Sequence, residues 1–588
     1  MNIFLLLCSR IEKVIMKKIW IQEESPKNTH IQKLAEELRC PKLIAQLLIQ
    51  RNISTVEEAN AFFSPSLNML HDPFLMKDMD KAVLRLDKAI ASDEGILIFG
   101  DYDVDGTTSV SLIYKYLSKV CEKSNLKYYI PSRYGEGYGI SYNAIDYAKE
   151  QGLTLMIITD CGIKDVENIA YAKSKGIDVI ICDHHTPGDE IPDAIAVLDP
   201  QRKDCNYPYK WLSGCGVSFK LIQAHCRMHN KPVSNLYKLL DLVAVSIASD
   251  IVPLTGENRI LAYWGLKQLN ENPSLGLKTI INNIKTYYPL TINDIIFKIG
   301  PKINAAGRMG TGVTSVDLLI AEDSTKAKQI FLNIDDFNIQ RKKLDHKITQ
   351  QAIDYIKNDE VEQSKKTTVL YNKDWHKGVL GIVASRLTEY IYRPAIILTE
   401  SNGDITGSAR SIEDFDLYSA IAQCSDLLIN YGGHKSAAGL TLSPQNLDIF
   451  KERFETIVCS MMANQQQTPQ ININAAIKLS DITQDLFNWI QKFAPFGPLN
   501  PIPTFVSNDV MNFIGSGKVG KNREHLKLVV VEDTRNLRPQ SGIGFNMGSK
   551  YDIIKHEQHF NICYTLQANR YMGKNEIQMI IQDVQTNY

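Results

Sequence analysis

The chain predicts an α/β multidomain protein: a doubly wound parallel-sheet domain, a helical connector, a smaller α/β domain and a C-terminal β-barrel. Three observations carry that prediction. Between residues 95 and 198, short apolar runs alternate with amphipathic stretches, the pattern of βαβ units with a parallel sheet. Residues 324–358 sustain one helical apolar spacing over a long polar stretch, as a strut between domains or a long domain helix would. Residues 470–588 alternate apolar and polar positions with few helical runs, as strands of a small barrel do.

Taken in order, residues 30–63 place Ile31, Leu34, Leu38, Leu43, Leu47 and Leu48 at helical spacing and predict a small helical preamble. Strands are predicted near 96–99, 127–130, 154–159, 177–182 and 195–198, with helices at 107–120, 142–151 and 165–175. Residues 215–285 read as mainly helical. A second α/β region follows, with strands at 367–371 and 394–399 around a helix at 381–390. The Gln-rich stretch 461–469 reads as a boundary. The expected domains are therefore 1–75, 76–285, 286–362, 363–462 and 468–588.

The bulk numbers exclude several classes. At 588 residues, the chain is long enough for about three to five domains. A net charge of −1 provides no global basic field, so a polyanionic partner must be held by local clusters. The eleven cysteines include no C-x-x-C pair, which predicts buried thiols in a reducing cytoplasm and no structural zinc. No apolar run is long enough to span a bilayer. Residues 3–8 (IFLLLC) lack a preceding basic residue and are too short for a signal peptide. Met16 offers an alternative start, which would make 1–15 an upstream extension.

The chemistry gathers where three predicted strands end. Asp101, Asp103 and Asp105 follow the first, Asp160 the third, and Asp183-His184-His185 the fourth. In an open α/β sheet, ligands bind at the carboxyl ends of strands. Adjacent carboxylates repel unless a cation lies between them, so a hard divalent ion is the natural occupant. His184 shifts the preference toward manganese. Gly106 permits a tight turn, and Thr107 or Thr108 is expected to cap the following helix.

Four successive segments, GDYDVDGTTS (100–109), IITDCGI (157–163), CDHHTPG (182–188) and VAVSIASDIVPL (243–254), resemble the motifs of the DHH phosphoesterases. GPKINAAGRMG (300–310), HKGVLGIVASRL (376–387), GSARS (407–411) and YGGHKSAAG (431–439) resemble the bacterial single-stranded-DNA exonuclease branch of that family. The resemblance implies two divalent ions, Mn2+ or Mg2+. One would take Asp103 and Asp160 with Asp101; the other would take Asp105, bridging Asp160, His184 and Asp250. Many family members carry His where this chain has Asp101. His185 would face the scissile phosphate, with Asp183 orienting a histidine behind it. In-line attack by water activated at two ions needs no Ser, Cys or His nucleophile.

The resemblance also implies substrate contacts. Arg133 lies in a Gly-rich segment, and Asn304 and Arg308 lie in INAAGRM. Ser408 and Arg410 pair a hydroxyl with a guanidinium, suited to a terminal phosphate. Gly432, Gly433 and His434 match the glycine-histidine motif of the DHH-associated domain, with His376 a further candidate; GGH alone would read as a turn. The C-terminal region resembles an oligonucleotide-binding barrel. Its basic loop 515–527 and Phe505, Phe513 and Tyr571 are candidates for gripping and stacking a single strand, although aromatics more often fill cores.

The implied activity is processive 5′-to-3′ hydrolysis of single-stranded DNA to mononucleotides in recombination and repair. The active site is expected in the cleft between catalytic and DHH-associated domains; a monomer is the default oligomeric state, and the cysteines predict a cytoplasmic location. A single-strand-binding protein and a helicase are the expected partners. Two rivals stand beside it. A phosphodiesterase for short oligonucleotides or cyclic dinucleotides would not need the barrel. A non-catalytic DNA-binding scaffold would be expected to have lost some acids, yet Asp103, Asp105, Asp160, His184 and Asp250 are all present.

Overall fold

The computed structural model describes residues 18–463, 468–533, 538–569 and 576–586. It divides into two compact units, one of residues 27–338 with 488–502 and the other of the remaining segments.

The first unit is built on five strands: β1 (Gly95–Gly100), β2 (Leu126–Tyr129), β3 (Leu153–Thr159), β4 (Asp178–Cys182) and β5 (Ala196–Leu198). All pair in parallel, in the order β2-β1-β3-β4-β5. Their near-continuous apolar sequences follow from burial on both faces. In β1, Ile96 and Ile98 enter one core while Leu97 and Phe99 enter the other. In β3, Leu155 and Ile157 face the first core and Met156 and Ile158 the second. The chain order reverses between β1 and β3, so the crevice beyond their carboxyl ends is where this topology receives ligands.

Helix α1 (Met79–Ala91) precedes the sheet, and α2 (Val104–Leu117), α3 (Tyr142–Glu150) and α4 (Val166–Ser174) connect its strands. The expected Thr cap of α2 is corrected. The helix starts earlier, at Val104, because Asp103 itself is the cap, its Oδ1 accepting from the Gly106 amide at 3.0 Å. Asp outranks Thr as a cap, and the Thr107 hydroxyl instead donates back to the Asp103 carbonyl at 2.6 Å. Two helices, α5 (Gly214–Met228) and α6 (Leu240–Ser249), are buried along nearly their whole length. α7 (Gly300–Met309) follows.

α8 (Ser324–Asn358) is one continuous helix of 35 residues. Ala327, Phe331 and Ile334 join the core of the first unit, while Ile348, Ala352, Ile353 and Ile356 join a core of the second.

In the second unit, β6 (Thr368–Tyr371), α9 (Leu380–Tyr390), β7 (Ala395–Ser401), β8 (Asp404–Arg410), β9 (Leu428–His434) and β10 (Ala437–Leu442) form a mixed sheet ordered β9-β10-β8-β7-β6. The barrel consists of β11 (Ala475–Ala476), β12 (Thr504–Asn512), β13 (Gly517–Val519), β14 (His525–Val531), β15 (Gln540–Gly544), β16 (Phe560–Asn569) and β17 (Glu576–Thr586). Their order is β11-β12-β16-β17-β15-β14-β13, and a β12–β14 pairing at Met511 and Val531 closes the ring. The expected basic loop 515–527 is partly strand, since Gly517–Val519 pairs with β14. Phe505 is fully buried beside Tyr564, so it is core and cannot stack on a base. Phe513 is partly exposed, and Tyr571 lies outside the described residues.

Candidate metal centre

The acids of the first unit converge at the β1–β3 crevice. Asp101 follows β1 directly, Asp103 caps α2, Asp105 sits in its first turn, Asp160 follows β3, and Asp250 ends α6. Three overlapping groups have ligand atoms within 4.8 Å of one another: Asp101, Asp103 and Asp160; Asp105, His184 and Asp250; and Asp160, His184 and His185. Asp160 and His184 link the groups. His184 Nε2 lies 3.2 Å from Asp160 Oδ1, 3.6 Å from Asp250 Oδ2 and 3.7 Å from Asp105 Oδ2.

The approach depends on two glycines. A Cβ at Gly106 would sit 2.2 Å from the Asp101 carbonyl oxygen, and one at Gly214 would sit 2.8 Å from Asp160 Cβ. Asp160 adopts a left-handed φ of 62°, and Ile251, next to Asp250, adopts 58°. Such a φ is an outlier for a β-branched residue, a local strain that the surrounding packing holds in place.

Asp105 is fixed by three close donors, with Ser109 Oγ a weaker fourth at 3.5 Å. The Gly214 and Cys215 amides at the N-terminus of α5 donate at 2.7 and 2.8 Å, and Ser246 Oγ of α6 approaches at 2.7 Å. Asp183 accepts from the amides of Ile163, His184 and His185, and its Oδ1 lies 2.7 Å from His185 Nδ1. Burial works against an ionised Asp183, but the His185 hydrogen bond and charge outweigh it and hold the carboxyl well below its usual range. Burial likewise disfavours the His185 cation, yet Asp183 raises its pKa to about 9. Tyr138 Oη stands 3.3 Å from the His185 ring nitrogens.

The donor set fits divalent cations. Asp101 Oδ1 is buried without a hydrogen-bond partner, and burial with the Asp103 charge pushes that carboxyl up to about 8. Burial, then the neighbouring aspartates, pushes Asp160 and Asp250 far above their usual range. Burial lowers the His184 pKa, with the nearby His185 adding to the effect. Its ring is therefore available as a neutral ligand. Mutually destabilised carboxylates beside a neutral imidazole are relieved when a cation enters.

The remaining candidates of this unit flank the crevice. The Arg133 guanidinium lies 3.8 Å over the Tyr102 ring, with Nε buried and unpartnered. Asn304 Oδ1 on α7 is also buried and unpartnered. Arg308, further along α7, accepts the Tyr134 hydroxyl at its carbonyl. α7 packs tightly on the metal loop, because a Cβ at Gly307 would lie 2.5 Å from the Tyr102 carbonyl oxygen.

In the second unit the sheet itself assembles the candidates. Gly432 pairs with Gly439, which pairs with Ser408; His434 pairs with Ala437, which pairs with Arg410. The two motifs therefore lie in shared rows across β9, β10 and β8. The turn reading of GGH is corrected, since all three residues are in β9. Gly433 requires glycine: its φ is 147°, and a Cβ would meet the Ala437 carbonyl oxygen at 2.3 Å. Arg410 Nη1 donates to Ser408 Oγ at 3.0 Å, and both pack on Gly381 at the start of α9. His376 Nδ1 accepts the Gly378 amide at 3.2 Å, capping the turn before α9.

Three domain families match the chain. Residues 95–247 match the DHH family N-terminal domain, 364–459 the DHHA1 domain, and 473–583 the RecJ OB domain. The chain is 35% identical over 577 residues to the single-stranded-DNA-specific exonuclease RecJ of Bacillus subtilis, covering 97% of this chain and 71% of that protein. The chain belongs to the RecJ exonuclease family.

The crystal structure of RecJ in complex with Mn2+ from Thermus thermophilus shares the fold, with a TM-score of 0.82 at 23% identity, covering 97% of this chain and 80% of that one. A crystal structure of exonuclease RecJ bound to manganese is 29% identical with a TM-score of 0.57, covering 67% of this chain and 96% of that one. Residues of this RecJ-family site that the sequence reading missed are Ser246, Tyr138, Tyr102 and Asp199. Asp199 is fully buried after β5, and burial with the Asp183 charge raises its pKa to about 8. Its position after a strand end, like that of Asp160, was the available signal.

Proposed function

We propose that this chain is a metal-dependent exonuclease that degrades single-stranded DNA from the 5′ end to mononucleotides, using two divalent cations, Mn2+ or Mg2+. The observation that carries this reading is the linkage of the acid groups through Asp160 and His184. It supports one ion held by Asp101, Asp103 and Asp160, and a second by Asp105, His184 and Asp250, with Asp160 shared. Bound there, such cations would lower the pKa of water and neutralise charge on a phosphate.

The chain's own residues do the rest. Asp183 orients His185 and favours its protonated form, which can donate to a phosphate oxygen at the reacting group. Arg133, restrained by Tyr102, supplies a second cationic donor, and Asn304 and Arg308 on α7 extend the contacts along the strand. Ser408, Arg410 and the open backbone at Gly432 suit the terminal phosphate, with His434 and His376 as neighbouring donors. The barrel supplies a groove for the strand. Affinity should fall with salt because phosphate contacts dominate. Helicases and single-strand-binding proteins would feed such an enzyme. We expect it to act as a cytoplasmic monomer. All ten described cysteines are free thiols, and no described helix is long and apolar enough to cross a membrane.

The test is degradation, with manganese, of one strand labelled at either end and of a blunt duplex. Immediate release of 5′-labelled mononucleotide from the single strand, with the duplex spared and Asp160→Ala inactive but still binding, is the expected result. Release of the 3′ label first would overturn the polarity, and full activity of Asp160→Ala would remove that residue from the centre.

A further inference from the structure

A second cluster of metal-ligating side chains sits at the other end of the catalytic-domain helices. α5 carries His225 near its last turn and His229 just beyond it, four residues apart and therefore on one face. α1 supplies Asp87 between them. Asp87 Oδ1 lies 2.9 Å from His225 Nε2 and 2.6 Å from His229 Nε2, and the two imidazole centroids are 4.7 Å apart.

The surroundings have the features of a built ligand set. His225 is buried, and its other ring nitrogen, Nδ1, lies 2.5 Å from Tyr116 Oη, which in turn is 3.3 Å from Cys226 Sγ. Metal-bound histidines pass their second ring N–H to an outer acceptor that fixes tautomer and orientation, and Tyr116 occupies that place. Burial holds the His225 pKa below its usual value, against the pull of Asp87 and with help from His229 and Lys231. The Asp87 side chain is 25% exposed and that of His229 41%, which leaves one side of the cluster open to solvent.

The position is favourable for a cation. The C-terminal end of a helix carries partial negative charge. From Gly214, which touches Asp160, to His225 is eleven residues of α5, about 16 Å at the helical rise. The cluster therefore shares no ligand with the nuclease centre.

We propose that Asp87, His225 and His229 form a second metal site, for zinc or a similar transition ion, that clips α1 to the end of α5 with no cysteine ligand, against the cysteine-based expectation of no structural zinc. Two imidazoles and one carboxylate suit such an ion, with water completing a tetrahedron, whereas magnesium prefers an all-oxygen set. Ligand atoms around a tetrahedral zinc stand about 3.3 Å apart, so Asp87 must withdraw by about 0.5 Å, a movement its partly exposed side chain permits.

The test compares zinc bound by full-length wild type, His229→Gln and Asp87→Asn after dialysis against micromolar Zn2+ with excess Mg2+. Each variant should hold one zinc fewer than wild type. Zinc should raise the wild-type melting temperature by more than that of either variant, while their Mg2+-supported nuclease activity is retained. Equal zinc counts in wild type and both variants would overturn the site and leave a hydrogen-bonded trio.

Discussion

Ser246→Ala tests whether the metal centre is held in place by its outer hydrogen bonds. Ser246 is fully buried, and its Oγ lies 2.7 Å from Asp105 Oδ1 and 2.6 Å from Ser213 Oγ. A hydroxyl has one proton. Given to the charged acceptor, it leaves Ser246 to accept from Ser213, which itself accepts the Gly216 amide at 3.1 Å. A hydrogen bond to a charged group contributes about 1.5–3 kcal/mol. Because the Gly214 and Cys215 amides still hold Asp105, the lower end applies, which corresponds to about tenfold in metal affinity. That lies within the range typical when an outer partner of a ligand is removed. The assay is nuclease activity against manganese concentration, read as the half-saturating value, beside melting temperature with and without metal. A half-saturating concentration unchanged within twofold, with metal-free stability also unchanged, would refute the reasoning. Asp105 would then be positioned by its remaining donors, chiefly the Gly214 and Cys215 amides.

Three further outcomes are expected. Metal-free protein should lose stability as pH rises from about 4 to about 8. Carboxyls such as Asp101, raised to about 8 in the fold, bind more protons folded than unfolded over that window, and stability falls where the native state binds more; denaturant melts should show the slope, and saturating manganese should flatten it. Asp183→Asn should lower the His185 pKa from about 9 toward the ordinary 6.5, as read by NMR titration of the metal-free protein; an unmoved value would deny Asp183 its role. Arg410→Ala should reduce the preference for a 5′-phosphorylated strand by about tenfold or more, the value of one charge-assisted contact, and an unchanged ratio of rates on phosphorylated and unphosphorylated ends would reject the assignment.

Much of the catalytic sheet was legible because burial on both faces writes continuous apolar runs. The predicted strand near 154–159 is β3 at Leu153–Thr159, and that near 177–182 is β4 at Asp178–Cys182. The long helix at 324–358 was legible for a different reason, its helical apolar period. Pairings between distant segments were not. Ile19–Gln22 pairs in parallel with Gln470–Ile473, and neither segment carries a sign of the other. Residues 488–502 lie with the catalytic unit, where Arg259 donates to the carbonyls of Phe493 and Ala494 at 2.8 and 2.9 Å. Those acceptors are main-chain atoms, which any sequence supplies. The same limit hid what holds Asp105, since two of its three close donors are amides. In the α1–α5 cluster the His-x3-His spacing was visible, but Asp87 comes from another helix.

The metal centre follows from this division of labour. The acids are written in the sequence, but their closeness is imposed by positions that carry no chemistry. Free carboxylates would move apart to reduce repulsion. Here Asp101 cannot retreat, because the backbone of Gly106 is packed against its own, and Asp160 is confined by Gly214 and held at a left-handed φ. Replacing either glycine would separate the acids without removing one. The unfavourable charge density is therefore built in as the chain folds, before any cation arrives, and a cation entering the crevice relieves it without first having to gather its ligands. That explains why metal should act on stability and activity together. A site assembled only on binding would show no pH-dependent loss of stability in its absence.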